Sequence, residues 1–142
     1  MVNTRLLFHR ISYLQYPLML VALYFAVQPY LKGFDTALYY INLMMVFMGL
    51  GISFSTLQDT RKTQNEFSRK IWEDPRKARV FIAVFTIVIC CLIITGLVGL
   101  IGTKNATLTE ISLGTVVLAI GMIGMLKSML EMFENHRKDK HE

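Results

Sequence analysis

Four long stretches without a charged side chain constrain the fold of this sequence more than any other feature. They cover residues 11–31, 36–57, 80–102 and 111–126. A helix that crosses a bilayer needs about 20 apolar residues. The fourth stretch reaches that length if Lys127 extends its ammonium to the membrane surface, so that the helix continues to Leu130. Backbone N–H and C=O groups in lipid must form hydrogen bonds within the protein, as they do in a helix. None of the stretches alternates apolar and polar residues as membrane β-strands do, so helices are predicted.

The predicted fold is an all-α integral membrane protein, an antiparallel bundle of four transmembrane helices in one domain, 1–142. The expected spans are about 11–31, 36–57, 80–102 and 108–130, with a connector at 57–79 and a tail at 131–142. Composition agrees, because 54% of the residues are hydrophobic and only 18% are charged. A soluble domain carries about 25% charged residues. The first span is expected to be an uncleaved anchor, because no cleavage site of small residues follows it.

The orientation of the spans follows from the distribution of lysine and arginine. The amino-terminal arm has two, the central connector seven and the carboxyl-terminal end four, whereas the first and third connectors have one each. Four spans place thirteen of the fifteen on one side of the membrane. Because basic side chains concentrate on the cytoplasmic side, both termini and the central connector are predicted to be cytoplasmic. The expected location is the inner membrane of a bacterium.

Several helix ends can be predicted from single residues. Asp74 before Pro75 is typical of an N-cap followed by the first helical position, so the third helix should begin there. Thr107 and Glu110 have the spacing of a capping box, which predicts the start of the fourth helix. Gly33 and Asp35 should end the first helix and cap the second.

The central connector contains neither glycine nor proline between Leu57 and Asp74. We therefore expect the second helix to continue into the cytoplasm to near Trp72. The alternative is a kink near residues 53–56, followed by a separate helix lying on the membrane surface. In either case the candidate docking surface consists of the apolar residues of this segment, Leu57, Phe67, Ile71 and Trp72.

A layer of polar side chains is predicted in the outer half of the membrane, with one contribution from each helix. Counting 1.5 Å per residue from the helix ends places them at similar depths. The members are Gln28, Asn42, Thr95 and Thr115. Hydrogen bonds between helices would explain them, each worth about 0.6 to 2 kcal/mol. The functional alternative is a polar vestibule or a site for a small ligand or lipid.

Glycines in the third and fourth stretches are candidates for helix packing, because small residues let helices approach closely in lipid. Three recur at intervals of three residues and two lie one heptad apart. They are Gly96, Gly99, Gly102, Gly114 and Gly121. They could join the third helix to the fourth, or one subunit to another.

No arrangement typical of an enzyme, a cofactor site or a metal site is present in the sequence. Cys90 and Cys91 are adjacent, so they project in different directions from a helix and lack a partner for a metal or a disulfide. His136 and His141 are five residues apart, which does not place them on one helix face. The net charge of +5 is explained by topology rather than by nucleic acid binding.

The sequence therefore favours a non-enzymatic membrane protein that acts as an oligomerising or accessory subunit through a basic cytoplasmic docking surface. Its expected partners are the lipid bilayer and either itself or another membrane protein. The alternative is a small oligomeric channel or transporter that uses the polar layer. A membrane-lytic, holin-like role is a third hypothesis, based only on small size and the charged residues 136–142.

Overall fold

A computed structural model describes residues 4–58, 71–72 and 74–136, with side chains described from Leu7 onward. The described residues form helices and connecting turns, without a strand. The helices are α1 (Thr4–Ser12), α2 (Gln15–Lys32), α3 (Ala37–Ser55), α4 (Pro75–Gly102) and α5 (Ala106–His136). A short 3₁₀ turn at Phe34–Thr36 joins α2 to α3.

Within the described part of the chain, four segments are long and apolar enough to cross a membrane: Leu7–Lys32, Phe34–Ser55, Pro75–Gly102 and Ala106–His136. This finding confirms the predicted all-α class and the four apolar helices. α4 has 28 residues and α5 has 31. At 1.5 Å per residue they are about 42 and 46 Å long, more than the roughly 30 Å of hydrocarbon in a bilayer. Both helices therefore extend beyond what a crossing requires.

The helices pack side by side in the order α2, α3, α5, α4. α3 and α5 form the inner pair, α2 packs on α3, and α4 packs on α5. Contacts between α2 and α3 include Met19 with Gly51 at one end and Lys32 with Tyr40 at the other. The core is therefore a row of three helix interfaces, with the one between α3 and α5 in the middle.

The first apolar stretch is interrupted by a turn at Tyr13 and Leu14, which separates α1 from α2. Pro17 explains the interruption. It has no N–H to donate to the carbonyl four residues earlier, and its ring clashes with that carbonyl, which belongs to Tyr13. The turn keeps its own bonds, since Tyr13 and Leu14 donate backbone N–H groups to Arg10 and Ile11 at 3.2 and 3.0 Å.

Two of the predicted helix ends are confirmed. The Asp74 carboxylate accepts the backbone N–H groups of Arg76 and Lys77 at 3.0 and 3.4 Å, and Pro75 occupies the first helical position of α4. Gly33 ends α2 with a φ of 100°, a conformation that residues with a side chain rarely adopt. Both ends are thus produced by residues whose local chemistry permits few alternatives.

The other two predicted capping residues are wrong, although α5 does begin next to Thr107, where a start was expected. Asp35 lies inside the 3₁₀ turn, and α3 begins at Ala37 without a side-chain cap. α5 begins at Ala106 because the Asn105 side chain accepts N–H groups from Thr107 and Leu108 at 3.0 and 3.5 Å. Asparagine is at least as good an N-cap as threonine, so the earlier residue starts the helix.

The expected continuation of the second helix past Leu57 is also wrong. α3 ends at Ser55, and Leu57 lies in the turn that follows. Hydroxyls near this end donate to backbone carbonyls one turn earlier, Ser55 to Ile52 and Thr56 to Ser53, each at 2.7 Å. Such bonds compete with helical backbone bonds, so a helix can end without glycine or proline. Residues 59–70 lie outside the described part of the chain.

Asp74 gives the start of α4 a dependence on pH. A hydrogen bond from the Lys77 side chain, helped by the Arg76 backbone N–H, lowers the pKa of Asp74 below its ordinary value of 3.8. A lowered folded-state pKa means that the stabilisation is complete above the ordinary pKa and is lost as the pH falls through the folded-state value. We expect the first-turn amides of α4 to lose hydrogen-exchange protection as the pH falls below the ordinary carboxyl pKa of 3.8 and through the lower folded-state value.

Asp74→Asn is the matched control, because asparagine also caps helices but does not titrate. Protection of the Arg76 and Lys77 amides in this variant should not change over the same pH range, after correction for intrinsic exchange. Identical pH profiles for the two proteins would contradict the role given to the Asp74 carboxylate.

Candidate functional site

The interface between α3 and α5, here called the seam, combines close backbone contacts at glycines with a buried polar side chain, Asn42. Its contacts pair Asn42 with Gly114, Gly49 with Gly121, and Thr56 with Ser128. Each pair is separated by 72 positions, and successive pairs are seven residues apart on both helices. Because the residue numbers increase in the same direction along both helices, α3 and α5 run parallel. Contacts every seven residues are typical of helices that cross at about 20°.

Glycine is required at the middle of the seam because backbone lies directly opposite. A Cβ on Gly121 would overlap the carbonyl oxygen of Gly49. A Cβ on Gly49 would lie 2.7 Å from the Val117 carbonyl oxygen and 2.8 Å from the Leu118 Cα. Backbone cannot move aside as a flexible side chain can, so each glycine fixes the distance between the two helices.

Asn42 is the buried polar group of the seam. It is 9% exposed, and its Oδ1 atom has no hydrogen-bond partner among the described residues. A Cβ on Gly114 would overlap this oxygen, so Oδ1 lies against the Gly114 backbone. An unsatisfied buried acceptor costs about 1–3 kcal/mol. The seam thus contains one acceptor that could receive a hydrogen bond from a group outside the described residues.

Two other members of the predicted polar layer lie at the same level as Asn42. Thr115 follows Gly114 directly, donates to the Ile111 carbonyl at 2.9 Å and lies 3.7 Å from the Met45 sulfur. Gln28 is buried on α2. Met19 on α2 contacts Gly51 on α3. Gln28 lies nine residues after Met19, and Asn42 lies nine residues before Gly51, so Gln28 and Asn42 lie at the same level. Three helices therefore supply one neutral polar group each at this depth.

The structure does not bring Thr95 to this group. Thr95 is exposed on α4, and its hydroxyl donates to the Cys91 and Leu92 carbonyls of its own helix at 2.8 and 3.2 Å. Its depth is close to that of the others, because neighbouring Gly96 contacts Val116 on α5. Its direction is different, since consecutive residues on a helix are rotated by about 100°.

The predicted packing glycines divide between two interfaces. Gly114 and Gly121 face α3 across the seam. Gly96 and Gly99 face α5, where a Cβ would come within 2.7 Å of Val116 or overlap the Ser112 hydroxyl. Gly102 has nothing within 4 Å of the position a Cβ would take, so it packs against none of the described residues.

The predicted docking surface is not an open face. Trp72 is 4% exposed and forms a core with Ala78 and Met129, against which Ile71 also packs. The Trp72 ring meets Phe81 edge-on at 5.9 Å. The physical reason is the turn at Asp74 and Pro75, which brings the end of the connector back onto the first turns of α4. Leu57 is half-buried, and Phe67 lies outside the described residues.

Sequence reasoning missed Gly49 and Ser112, which are as important to packing as the predicted glycines. Only the glycines of the third and fourth stretches were considered, and Ser112 was not treated as a small residue. A signal existed: the positions 42, 49 and 56 repeat the heptad of 114, 121 and 128 at an offset of 72. Matching small or polar residues at a common offset would have paired the second helix with the fourth.

The side chains at the level of Asn42 can form hydrogen bonds but carry no charge. No group of three His, Cys, Asp or Glu side chains among them could hold a metal ion. Gln28, Asn42 and Thr115 have no titratable group, so this layer cannot itself take up or release a proton. Comparison with protein-family models, curated proteins and solved structures finds no match for this chain.

The seam predicts a contrast between two glycines. Gly121→Ala places a methyl group on the Gly49 carbonyl and should lower the free energy of unfolding by about 1–3 kcal/mol, as overpacking usually does. Gly102→Ala meets open space and should be neutral or stabilising by up to about 1 kcal/mol, the difference in helix propensity. Reversible unfolding of the two variants in mixed detergent micelles measures both values. Equal losses for the two variants would show that the seam is not closely packed.

Proposed function

We propose that this chain is a non-enzymatic accessory or oligomerising subunit of a bacterial inner membrane. Its four helices span the bilayer as two antiparallel hairpins, α2 with α3 and α4 with α5. Both termini and the central connector lie in the cytoplasm. The thirteen basic side chains on one side support this orientation. The parallel direction of α3 and α5 supports four crossings, because an odd number of crossings, here the single one by α4, must lie between two helices of like direction.

The observation that carries the proposal is a folded platform where the first turns of α4 meet the last turns of α5. Its core consists of Trp72, Ala78 and Met129, with Phe133 packed against them. α5 continues to His136, beyond the end of its apolar stretch. Three cationic residues on the first turns of α4 are exposed on the platform: Arg76, Lys77 and Arg79.

The platform favours docking over catalysis. Exposed cations attract acidic groups of a partner or of lipids, and the rate and specificity of such association depend on charge. Trp72 is buried inside the platform and stabilises it, so it is not available to a partner. The docking residues are therefore the exposed cations around it. The tight seam also argues for association, because a passage between α3 and α5 at Gly49 would require moving two backbones apart. A transport route that begins at Asn42 would have to leave the seam before it reaches Gly49, for example between subunits.

Native mass spectrometry of protein extracted in mild detergent tests this proposal. We expect an oligomer or a complex with a second membrane protein. Arg76→Gln combined with Arg79→Gln should reduce the associated fraction severalfold, because rim charges mainly control association. Lys104→Gln is the control, since Lys104 is also an exposed basic residue but lies in the connection between α4 and α5. A strictly monomeric particle without a partner would contradict the proposal.

A second candidate function, an oligomeric channel or transporter, is favoured by one observation. The unpartnered Oδ1 of Asn42, at the level of Gln28 and Thr115, could hydrogen-bond a neutral polar solute. The layer contains no titratable side chain, so transport would be uncoupled from protons at this site.

Flux of small neutral solutes into reconstituted vesicles tests this candidate. Asn42→Leu removes the acceptor and should abolish the flux, whereas Thr95→Leu should leave it unchanged because Thr95 points away from the seam. Absence of flux in the unaltered protein, or equal loss in both variants, would reject a transport role for the polar layer.

A further inference from the structure

Lys32 and Tyr40 form a charged hydrogen-bonded pair at the end of the α2–α3 hairpin. The Lys32 Nζ atom donates to the Tyr40 hydroxyl at 2.9 Å. The same atom is 5.4 Å from the centroid of the Tyr40 ring. It therefore lies at the hydroxyl end of the tyrosine rather than above the ring, and the contact is mainly a hydrogen bond.

Aromatic contacts fix the position of Tyr40. Phe25 stacks on it with ring centroids 6.3 Å apart and an interplanar angle of 23°. Tyr39 meets it edge-on at 5.3 Å. Phe25 is itself held by stacking on Phe47 at 5.5 Å. The hydroxyl to which Lys32 donates is thus presented by a packed ring, which reduces the entropy that a ligand would have to overcome.

The pair has unused hydrogen-bond donors that point to an anion. In the described part of the chain Lys32 forms no ion pair, and Asp35, only three positions later, lies beyond the Gly33 turn and is not bonded to it. An ammonium group has three donors, of which Tyr40 receives one. Because the Tyr40 oxygen accepts from Lys32, its own O–H is available to donate. One anion could therefore accept an N–H and an O–H bond together.

The depth of the pair identifies the anion. Lys32 is the last residue of α2 and follows a long apolar segment. Tyr30 and Phe34 flank it, and both are more than 70% exposed, as expected of aromatic side chains at the membrane surface. Phosphodiester groups of phospholipids occupy this depth, and charge-assisted bonds from lysine to phosphate are strong.

We propose that Lys32 and Tyr40 form a binding site for the phosphate group of a membrane phospholipid. The Lys32 ammonium and the Tyr40 hydroxyl each donate to a phosphate oxygen, and Phe25 and Tyr39 hold the tyrosine in place. The site requires that the helices span a bilayer, but it is independent of the partner docking proposed above. It lies at the opposite end of the hairpins from the cationic platform.

Lipid titration followed by native mass spectrometry tests the site, with phosphatidylglycerol as the probe. Lys32→Gln should weaken the first binding event by about tenfold, the loss expected for one hydrogen bond to a charged group. Tyr40→Phe keeps the stacked ring and removes only the hydroxyl, so it should weaken binding severalfold while the protein stays folded. Two matched controls should bind as the unaltered protein does: Lys104→Gln, an exposed lysine without a tyrosine bond, and Tyr30→Phe, an exposed tyrosine without a lysine bond.

Three outcomes would overturn the proposal. Equal weakening by Lys104→Gln would mean that lipid responds only to net charge. Unchanged binding in Tyr40→Phe would mean that the hydroxyl is not a ligand, and this variant gives a result even if Lys32→Gln does not fold. Displacement of the lipid by inorganic phosphate at comparable concentration would assign the site to free phosphate instead.

Discussion

The contact of Gly121 with the Gly49 backbone is the constraint on which the arrangement of the helices depends. Lipid tails are as apolar as leucine, so hydrophobic burial does not drive helices together within a membrane. Close approach of backbones provides dispersion contacts instead, and it is possible only where neither residue has a side chain. Among the described residues α2 packs on α3 and α4 packs on α5, so the two outer helices are linked mainly through this inner pair. The seam therefore fixes the relation between the two halves of the chain.

The apolar spans and some of their ends could be predicted because they depend on local chemistry. Stretch length gives the number of helices, Asp74 before Pro75 gives the start of α4, and the φ of Gly33 ends α2. Thr107 failed as a cap because an equally suitable residue, Asn105, comes first along the chain. The prediction that the second helix continues past Leu57 failed for another reason. Hydroxyl-to-carbonyl bonds can end a helix without glycine or proline, and α3 ends at Ser55.

The candidate sites were predictable in depth but not in direction. Counting residues places Thr95 and Thr115 at similar depths, yet only Thr115 faces the seam. A rotation of 100° per residue decides which side chain faces a neighbour, and the neighbour is known only after the helices are packed. Trp72 illustrates the same limit, because an aromatic residue near a membrane surface fits an interfacial belt as well as a core. Its burial depends not only on nearby Ala78 but also on Met129, a residue far along the chain.

The constant offset of 72 residues across the seam gives the chain the organisation of a dimer contained in one polypeptide. Each hairpin contributes one inner and one outer helix, and equivalent positions of the two inner helices face each other. The two inner helices are parallel and in register over two heptads, as in a parallel coiled coil. The connector then acts as a tether that raises the effective concentration of one half near the other. Two hairpins supplied as separate polypeptides would retain every contact of the seam described above.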